Sequence, residues 1–311
     1  MRWPWQRKTT SAELVLGIEL HQQQTFAVVR NAHGVIACYR PAVDEQGTAG
    51  LEAWLRAHQW QHLDTTLSLD PQDYETHLIE APNVADDELN DAVRFRMKDV
   101  LSQPVEQCVL QTFRLADDAY RGRSSMAMVV ATRRDWVQQW VHWCEQQCLN
   151  LQAITIAELS LLHIVGQLEP ETSVGVLRLN GSDSVLYVYQ NGSLYLTRKL
   201  EVGADALTPM ANDGAFELVN DPQFDRLTLE MQRSLDYFES QLGVGAIGQV
   251  WVLLPDHQPD DSRLVELEQV LNLPVRTLSL ETQFNHSEDG LPLTASLVTA
   301  LGASLSYELD D

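Results

Sequence analysis

The sequence predicts an α/β protein of two lobes, each built on a β-β-β-α unit, with a small α+β insert in the first lobe. Two runs of three short apolar strands, separated by tight turns, carry this prediction: residues 14–40 and 173–200. Segments with helical spacing of apolar residues follow each run. The chain has 311 residues, more than one ordinary hydrophobic core accommodates, which also favours two lobes.

In the first half, strands are predicted from short apolar runs between turns, and helices from apolar residues at i, i+3 and i+4. The helix over 85–102 has acids in its first turn, which suits the helix dipole, and a predicted buried stripe. The stripe consists of Leu89, Ala92, Val93, Met97, Val100 and Leu101. The predicted elements are strands 14–20, 25–30 and 34–40, helix 50–60, strands 65–70 and 74–82, helix 85–102, strands 108–115 and 125–133, and helix 134–149.

The second half repeats the plan, and its long helix over 225–242 carries Leu227, Met231 and Leu235 on one side. The predicted elements are strand 151–157, helix 158–168, strands 173–180, 184–190 and 193–200, helix 225–242, strand 249–254, helix 261–271, strand 274–280 and helix 294–305. The resulting division is a basic Trp-containing tail (1–12), the first lobe (13–64), the α+β insert (65–150), a return to the first lobe (151–170) and the second lobe (171–311).

The formal net charge is −23, from 44 acidic and 21 basic residues. A strongly negative protein is repelled by a phosphate backbone, so nucleic-acid binding is not expected. The N-terminus lacks the apolar stretch of a signal peptide, and no window is long enough to span a membrane. We therefore expect a cytoplasmic protein.

The N-terminal segment MRWPWQRK differs from the rest because it combines Arg2, Arg7 and Lys8 with Trp3 and Trp5. One interpretation is a frayed tail. The other is a weak contact with lipid headgroups, which Trp and cationic side chains favour. The segment is too short to anchor the protein alone.

The four cysteines do not predict a metal site. Cys144 and Cys148 are spaced as neighbours on a helix with His142 nearby, but a second cluster of ligands is lacking. Without a secretory signal, free structural thiols are expected.

Several segments resemble PilM-type pilus-assembly proteins over nearly the whole chain. LEMQRSLDYFESQ (229–241) resembles the PilM helix with the pattern Glu-x-x-Arg-Ser-x-x-(Tyr/Phe)-(Tyr/Phe), and DELNDAVRFRMKDVLSQPVEQ (87–107) looks like the PilM insert helix and the turn after it. MVVATRRDWVQQWVHWCEQQCLNLQAITIAELSLL (128–162) resembles the next block, and TALGASL (299–305) is similar to the closing Ala-Leu-Gly of the family. Two β-β-β-α halves with an insert in the first describe the actin-like ATPase (ribonuclease H-like) fold. The most similar branch belongs to MSHA-type pilus systems, and the cytoplasmic part of the type II secretion protein GspL is a relative.

This resemblance implies a scaffold under the inner membrane. PilM-like proteins bind the short cytoplasmic tail of a PilN-type membrane protein, and they link it to other components of the pilus machine. Membrane association would then be peripheral and would run through the partner. In PilM the tail lies between the first lobe and its insert, so the resemblance implies a groove near residues 85–102 and 108–115.

The resemblance also locates a nucleotide site, whose two phosphate loops deviate here. The first loop of the family resembles Gly-Ile-Asp-Ile-Gly-Ser-Ser, whereas this chain has Gly17-Ile-Glu-Leu-His-Gln-Gln23. In the second loop Arg178 replaces an acid, and a guanidinium cannot be a metal ligand. The Gly-Gly turn beside the adenosine is absent, and 254–260 reads LPDHQPD. An ion pair between Arg178 and Glu19 across the cleft would explain both changes.

We therefore expect a scaffold with no catalytic residue, no metal site, no bound cofactor and no nucleotide hydrolysis. The alternative is a switch that binds ATP and Mg²⁺, with Glu19, Asn180, Gly181 and Ser182 as degenerate phosphate-loop positions. A small-molecule kinase of the same fold is a third interpretation, for which Glu19 is the one candidate acid.

Overall fold

The two lobes are built on two five-stranded sheets with the same strand order. The computed structural model describes residues 14–119, 125–207, 221–242, 245–256, 261–280, 284 and 293–306. The predicted tail over 1–12 lies outside these residues. In each sheet three antiparallel strands are followed by two parallel ones, so the predicted duplication is confirmed.

The first sheet has the order β3-β2-β1-β4-β8. Its strands are β1 (Val15–His21), β2 (Gln24–Asn31), β3 (Gly34–Tyr39), β4 (Asp64–Leu69) and β8 (Asn150–Ile156). The helices of the first lobe are α1 (Ala49–Ala57), α3 (Arg134–Gln146) and α4 (Ala157–Leu168). All seven residues of β1 are buried, because helices cover both faces of this sheet.

The second sheet has the order β11-β10-β9-β12-β13. Its strands are β9 (Val174–Leu179), β10 (Ser184–Gln190), β11 (Ser193–Leu200), β12 (Gln249–Leu253) and β13 (Val275–Thr277). Its helices are α5 (Pro222–Tyr237), α6 (Leu264–Leu271) and α7 (Ala295–Ser304). A π-helical turn over Phe238–Leu242 extends α5, so the predicted helix over 225–242 begins three residues earlier and changes its winding near its end.

The insert contains a separate three-stranded sheet with the order β5-β7-β6. Its elements are β5 (Tyr74–Glu80), α2 (Leu89–Arg96), β6 (Cys108–Arg114) and β7 (Met126–Arg133). The predicted insert over 65–150 is too long at both ends, because α3 packs into the core of the first lobe. Strand β4 pairs in parallel with both β1 and β8, and therefore belongs to the first lobe.

Helix α2 is shorter than the predicted helix over 85–102. Residues 97–99 tighten into a 3-10 turn, and the chain then leaves helical geometry. Leu89, Val93 and Met97 are buried as predicted, whereas Val100 is 52% exposed because it lies beyond the helix. The fully buried stripe therefore ends at Met97, whereas Leu101 is half-buried and packs against the same cluster, as predicted.

Helices α4 and α7 form the layer between the two sheets, and two glycines allow their close contacts. A Cβ on Gly17 of β1 would lie 1.9 Å from the carbonyl oxygen of Ala300 in α7. A Cβ on Gly302 of α7 would lie 2.1 Å from the carbonyl oxygen of Ser160 in α4. The last helix of the second lobe is thereby packed directly onto the central strand of the first.

No helix within the described ranges has the length and apolar character needed to cross a membrane. Cys38, Cys108 and Cys144 are buried, whereas Cys148 is exposed.

The substitution Gly302→Ala is expected to lower the free energy of unfolding by about 1–3 kcal/mol, because the added methyl group overlaps a backbone carbonyl that cannot easily move. Gly166→Ala in α4 is the matched control, since nothing lies within 4 Å of its added Cβ. The control should gain about 0.5–1 kcal/mol from helix propensity. Urea unfolding of both variants measures the difference, and equal effects would contradict the packing argument.

Candidate functional site

Glu19 and Arg178 form a buried ion pair that joins the two lobes. Glu19 lies on β1 and Arg178 on β9, the central strands of the two sheets. The Arg178 Nη1 donates to Glu19 Oε1 at 2.8 Å, and the side chains are 1% and 0% exposed. The ion pair expected from the sequence is present.

Helix α7 supplies further partners for Arg178. Its Nη1 also donates to Thr299 Oγ1 at 3.2 Å, and its Nη2 donates to Ser296 Oγ at 3.2 Å. Ser296 Oγ in turn donates to Asp256 Oδ2 at 2.6 Å, and Asp256 Oδ1 accepts from Thr294 Oγ1 at 2.6 Å. The guanidinium is thus connected to a second carboxylate through one hydroxyl.

Burial and charge act against each other on both members of the pair. Burial is the largest influence on Glu19 and raises its pKa to about 8, although the charge and hydrogen bonding of Arg178 lower it. Burial lowers the pKa of Arg178, but Glu19, Tyr187 and Asp256 together more than offset this, and the net shift of the pKa is upward. The guanidinium therefore keeps its charge and needs a counter-ion within the core.

The turn that corresponds to the first phosphate loop is closed by a carboxylate of the protein. Gln22 and Gln23 have φ of 49° and 65°, which places two non-glycine residues in the left-handed region. The backbone N–H of Gln22 donates to Asp70 Oδ2, and that of Gln72 donates to Asp70 Oδ1 at 2.9 Å. The backbone N–H of this turn therefore donates to a side-chain carboxylate of the protein itself.

The predicted positions Asn180, Gly181 and Ser182 form the turn between β9 and β10. The Asn180 backbone N–H donates to the Asp183 carbonyl at 2.9 Å, and its side chain donates to Asp183 Oδ1 at 2.8 Å. A Cβ on Gly203 would lie 2.4 Å from the carbonyl oxygen of Asn180. The chain after β11 therefore covers this turn. Glu19, the fourth predicted position, hydrogen-bonds to Arg178 of β9 instead.

A second set of hydrogen bonds joins the insert to both lobes. Tyr74, the first residue of β5, donates to Glu158 Oε2 of α4 at 2.6 Å. Tyr189 of β10 donates to the backbone carbonyl of Glu158 at 2.8 Å. The insert also contacts the second lobe directly, since Tyr195 of β11 donates to Asp118 Oδ1 at 2.6 Å.

A cavity of about 830 Å³ opens between the β1–β2 turn and α3, which the sequence did not predict. His21 and Asp70 lie on the first-lobe side, and Trp140 and Trp143 on the α3 side. The resemblance implied a groove near α2 and β6, whereas this cavity lies against α3. The run Gln22 to Gln24 was the available signal, because three amides at a strand turn are well suited to line an open site.

The Trp residues of α3 were predicted to form a buried helix face. Trp140 and Trp143 are buried in the core of the first lobe, and Trp136 is packed against it. Their rings meet edge to face, with centroids 5.7 Å and 5.6 Å apart. Within the described part of the chain, no group of three or more His, Cys, Asp or Glu side chains is placed to hold a metal ion.

Solved structures from pilus and secretion machines share this fold. A PilM–PilN type IV pilus biogenesis complex matches with a TM-score of 0.69 and 18% identity, over 94% of this chain and 97% of the matched chain. The cytoplasmic domain of EpsL, an inner membrane component of the type II secretion system of Vibrio cholerae, matches with a TM-score of 0.52 and 16% identity, over 96% and 97% of the two chains. No protein-family profile and no curated protein sequence matches the chain.

The chain has the two-lobed actin-like fold. The duplicated sheets and the agreement with PilM and EpsL over almost the whole length establish it. The resemblance seen in the sequence is therefore confirmed at the level of fold.

Arg178→Met is expected to lower the free energy of unfolding by about 3–5 kcal/mol, because it removes one member of a buried, hydrogen-bonded pair. Adding Glu19→Leu should recover most of this loss, since no buried polar group is then left without its partner. Urea unfolding of the two single variants and the double variant gives the coupling energy. The exposed pair Arg226–Glu201 is the control, and Arg226→Gln should change stability by less than about 1 kcal/mol. Additive effects at Glu19 and Arg178 would contradict a coupled pair.

The same double variant is expected to change the pH dependence of stability. Glu19 has an ordinary pKa of 4.5 in the unfolded chain and about 8 in the folded protein. Between these values the folded protein retains a proton that the unfolded chain has lost, so the contribution of Glu19 to stability falls as pH rises. The double variant should gain stability relative to the wild type from pH 5 to pH 8. Parallel profiles of the urea midpoint would show that Glu19 does not titrate in this window.

Proposed function

We propose that this protein is a non-enzymatic scaffold of a type IV pilus assembly machine. It binds the cytoplasmic tail of a PilN-like inner-membrane protein and stays in the cytoplasm, peripheral to the inner membrane, through that partner. Other machine components bind to the same scaffold. The finer assignment is to the MshI branch of MSHA-type systems, which the segments at 87–107 and 229–241 support by their resemblance.

The observation that carries this proposal is that the protein's own side chains occupy the places where a nucleotide and its metal ion would bind. A phosphate needs free backbone donors, and Mg²⁺ needs oxygen ligands. The Gln22 donor is taken by Asp70, and Arg178 stands where the second loop of the family has an acid. These groups do not fit a magnesium-bound triphosphate, so we assign Glu19, Asn180, Gly181 and Ser182 to structure instead of cofactor binding.

The similar structures support the partner class. One matched chain comes from a complex of PilM with PilN, and the other is the cytoplasmic domain of an inner membrane component. The second shows a protein of this fold as the cytoplasmic part of an inner membrane component. A scaffold that binds a membrane protein's tail needs no hydrolysis, which agrees with the closed cleft.

Calorimetric titration tests the proposal. The full chain is titrated with a synthetic peptide of the PilN-like partner's cytoplasmic tail, and separately with Mg-ATP. The expected result is saturable heat with the peptide and none with Mg-ATP at concentrations up to about 1 mM, the upper end of common cellular affinities. Binding of the peptide should be unchanged when Mg-ATP is present.

Two outcomes would overturn parts of the proposal. Micromolar binding of Mg-ATP that alters the peptide affinity would establish the alternative, a nucleotide-gated switch. Absence of peptide binding would remove the partner assignment.

A further inference from the structure

We propose that the protein's own N-terminal segment, residues 1–8, binds in an acidic pocket of the second lobe. The chain would then form a strap that joins the two lobes on the side away from the cleft. This inference goes beyond the proposed function, because it concerns a contact within one molecule. The segment MRWPWQRK lies outside the described residues, and neither the fold nor the scaffold role accounts for its composition.

The pocket has an apolar wall large enough for an aromatic ring. It lies between the end of α5 and the residues just before β12 and β13, and its volume is about 490 Å³, within the range typical of ligand pockets. Leu235 and Ile247 are buried in this wall, and Leu271 and Leu273 are half-buried. A Trp ring, which buries about 150–250 Å² on contact, would cover the half-buried side chains.

The polar residues of the pocket favour a cationic ligand. Asp236 and Glu239 line it, both are exposed, and the described residues that line it include no Lys or Arg. Glu239 belongs to the π-helical turn that extends α5, and such turns occur frequently at functional sites. Gln232 and Asn272 add amide groups, whose oxygens can accept a hydrogen bond from an indole or a guanidinium.

The N-terminal segment combines the two properties that the pocket requires. It contains Arg2, Arg7 and Lys8 and no acidic residue, whereas the whole chain has a net charge of −23. Trp3 and Trp5 lie between these cations and supply large apolar rings with an N–H donor. Opposite charges on the segment and the pocket therefore attract each other within the same molecule.

The strand directions place the pocket and the attachment point of the segment on the same side of the molecule. Glu19 and Arg178 meet toward the carboxyl ends of β1 and β9, so the amino ends of both strands point away from this contact. β12 runs parallel to β9, and β13 runs parallel to β12. The pocket residues Ile247 and Leu273 come just before these two strands, and the segment precedes β1, which begins at Val15.

The segment is long enough to reach the pocket. Packed layers lie about 10 Å apart, so the two sheets, with α4 and α7 between them, are roughly 20 Å apart. Helix α5, which belongs to the second lobe, adds at most one further layer. Trp5 precedes Leu14 by nine positions, and an extended chain covers about 3.3 Å per residue, or roughly 30 Å. This reach equals three layers, and Trp3 reaches further.

Photo-cross-linking in the full chain tests the proposed strap. p-Benzoylphenylalanine is placed at position 5, so an aromatic side chain is retained there, and the cross-linked peptides are identified by mass spectrometry. The expected product is a cross-link within one molecule from position 5 to residues 232–239, 246–247 or 271–273. A cross-linked dimer, or cross-links confined to other surfaces, would overturn the proposal.

Charge reversal in the pocket gives a sharper test. Asp236→Lys and Glu239→Lys should each lower the yield of this cross-link about two- to fivefold at low salt, because an attraction becomes a repulsion. Both side chains are exposed, so the fold is retained. Asp205→Lys is the matched control, because Asp205 is an exposed acid of the same lobe beside the Gly181 turn and does not line the pocket. The control should leave the yield unchanged, and equal losses in all three variants would contradict a specific contact.

A charge exchange completes the experiment. Arg7→Glu with Lys8→Glu should also lower the yield, and combining this pair with Asp236→Lys and Glu239→Lys should restore it, because the two charges are then exchanged. Failure of this rescue would overturn the pairing of segment and pocket. Vesicles of anionic phospholipid test the other possible ligand of the segment. If position 5 cross-links to their lipids and forms no pocket cross-link in their absence, the segment is a membrane contact and the proposal is wrong.

Discussion

The constraint on which the rest of the structure depends is a permanent positive charge buried between the lobes. A guanidinium cannot release its proton at ordinary pH, so Arg178 must keep hydrogen-bond acceptors beside it. Glu19, on the central strand of the other sheet, accepts its hydrogen bond at 2.8 Å. The two sheets must therefore remain opposed at this point, because separating them would leave the buried guanidinium without this acceptor. A nucleotide-binding protein of this fold needs a cleft that opens, and here the cleft is held closed by its own side chains.

Three further contacts also hold the lobes together. Helix α7 crosses β1 at Gly17 without an intervening side chain, and Arg30 of β2 donates to the backbone carbonyl of Ser304 at the end of α7 at 2.8 Å. Tyr74 of the insert and Tyr189 of the second lobe both donate hydrogen bonds to Glu158 of the first lobe. This one residue therefore connects all three parts of the molecule. Burial raises the pKa of Glu158, although the hydrogen bond from Tyr74 acts in the opposite direction. These contacts hold the insert and the two lobes in a fixed arrangement, which agrees with the proposed scaffold role.

The sequence predicts the strands and helices, because short-range patterns determine them. It misses the features that depend on contacts between distant segments. The strand meanders follow from local alternation and turns, so both sheets were predicted. Strand β4 was assigned to the insert because its place between β1 and β8 depends on partners far along the chain. The ion pair was predicted since both of its residues break a recognisable pattern. The cavity was not, because its walls come from the β1–β2 turn and from α3, more than a hundred residues apart, and the link from Gln22 to Asp70 leaves no local signal.

The backbone of the β1–β2 turn adds an independent argument about the closed phosphate loop. The turn between β10 and β11 also has two residues with positive φ, but they are Asn191 and Gly192, which adopt this conformation readily. Gln22 and Gln23 carry a cost of roughly 1–2 kcal/mol each in the left-handed region. A hairpin alone does not need glutamine there, since Asn-Gly closes the same turn with less strain. The same conformation lets the Gln22 backbone N–H donate to Asp70, so this contact accounts for a strained turn that the hairpin alone does not require.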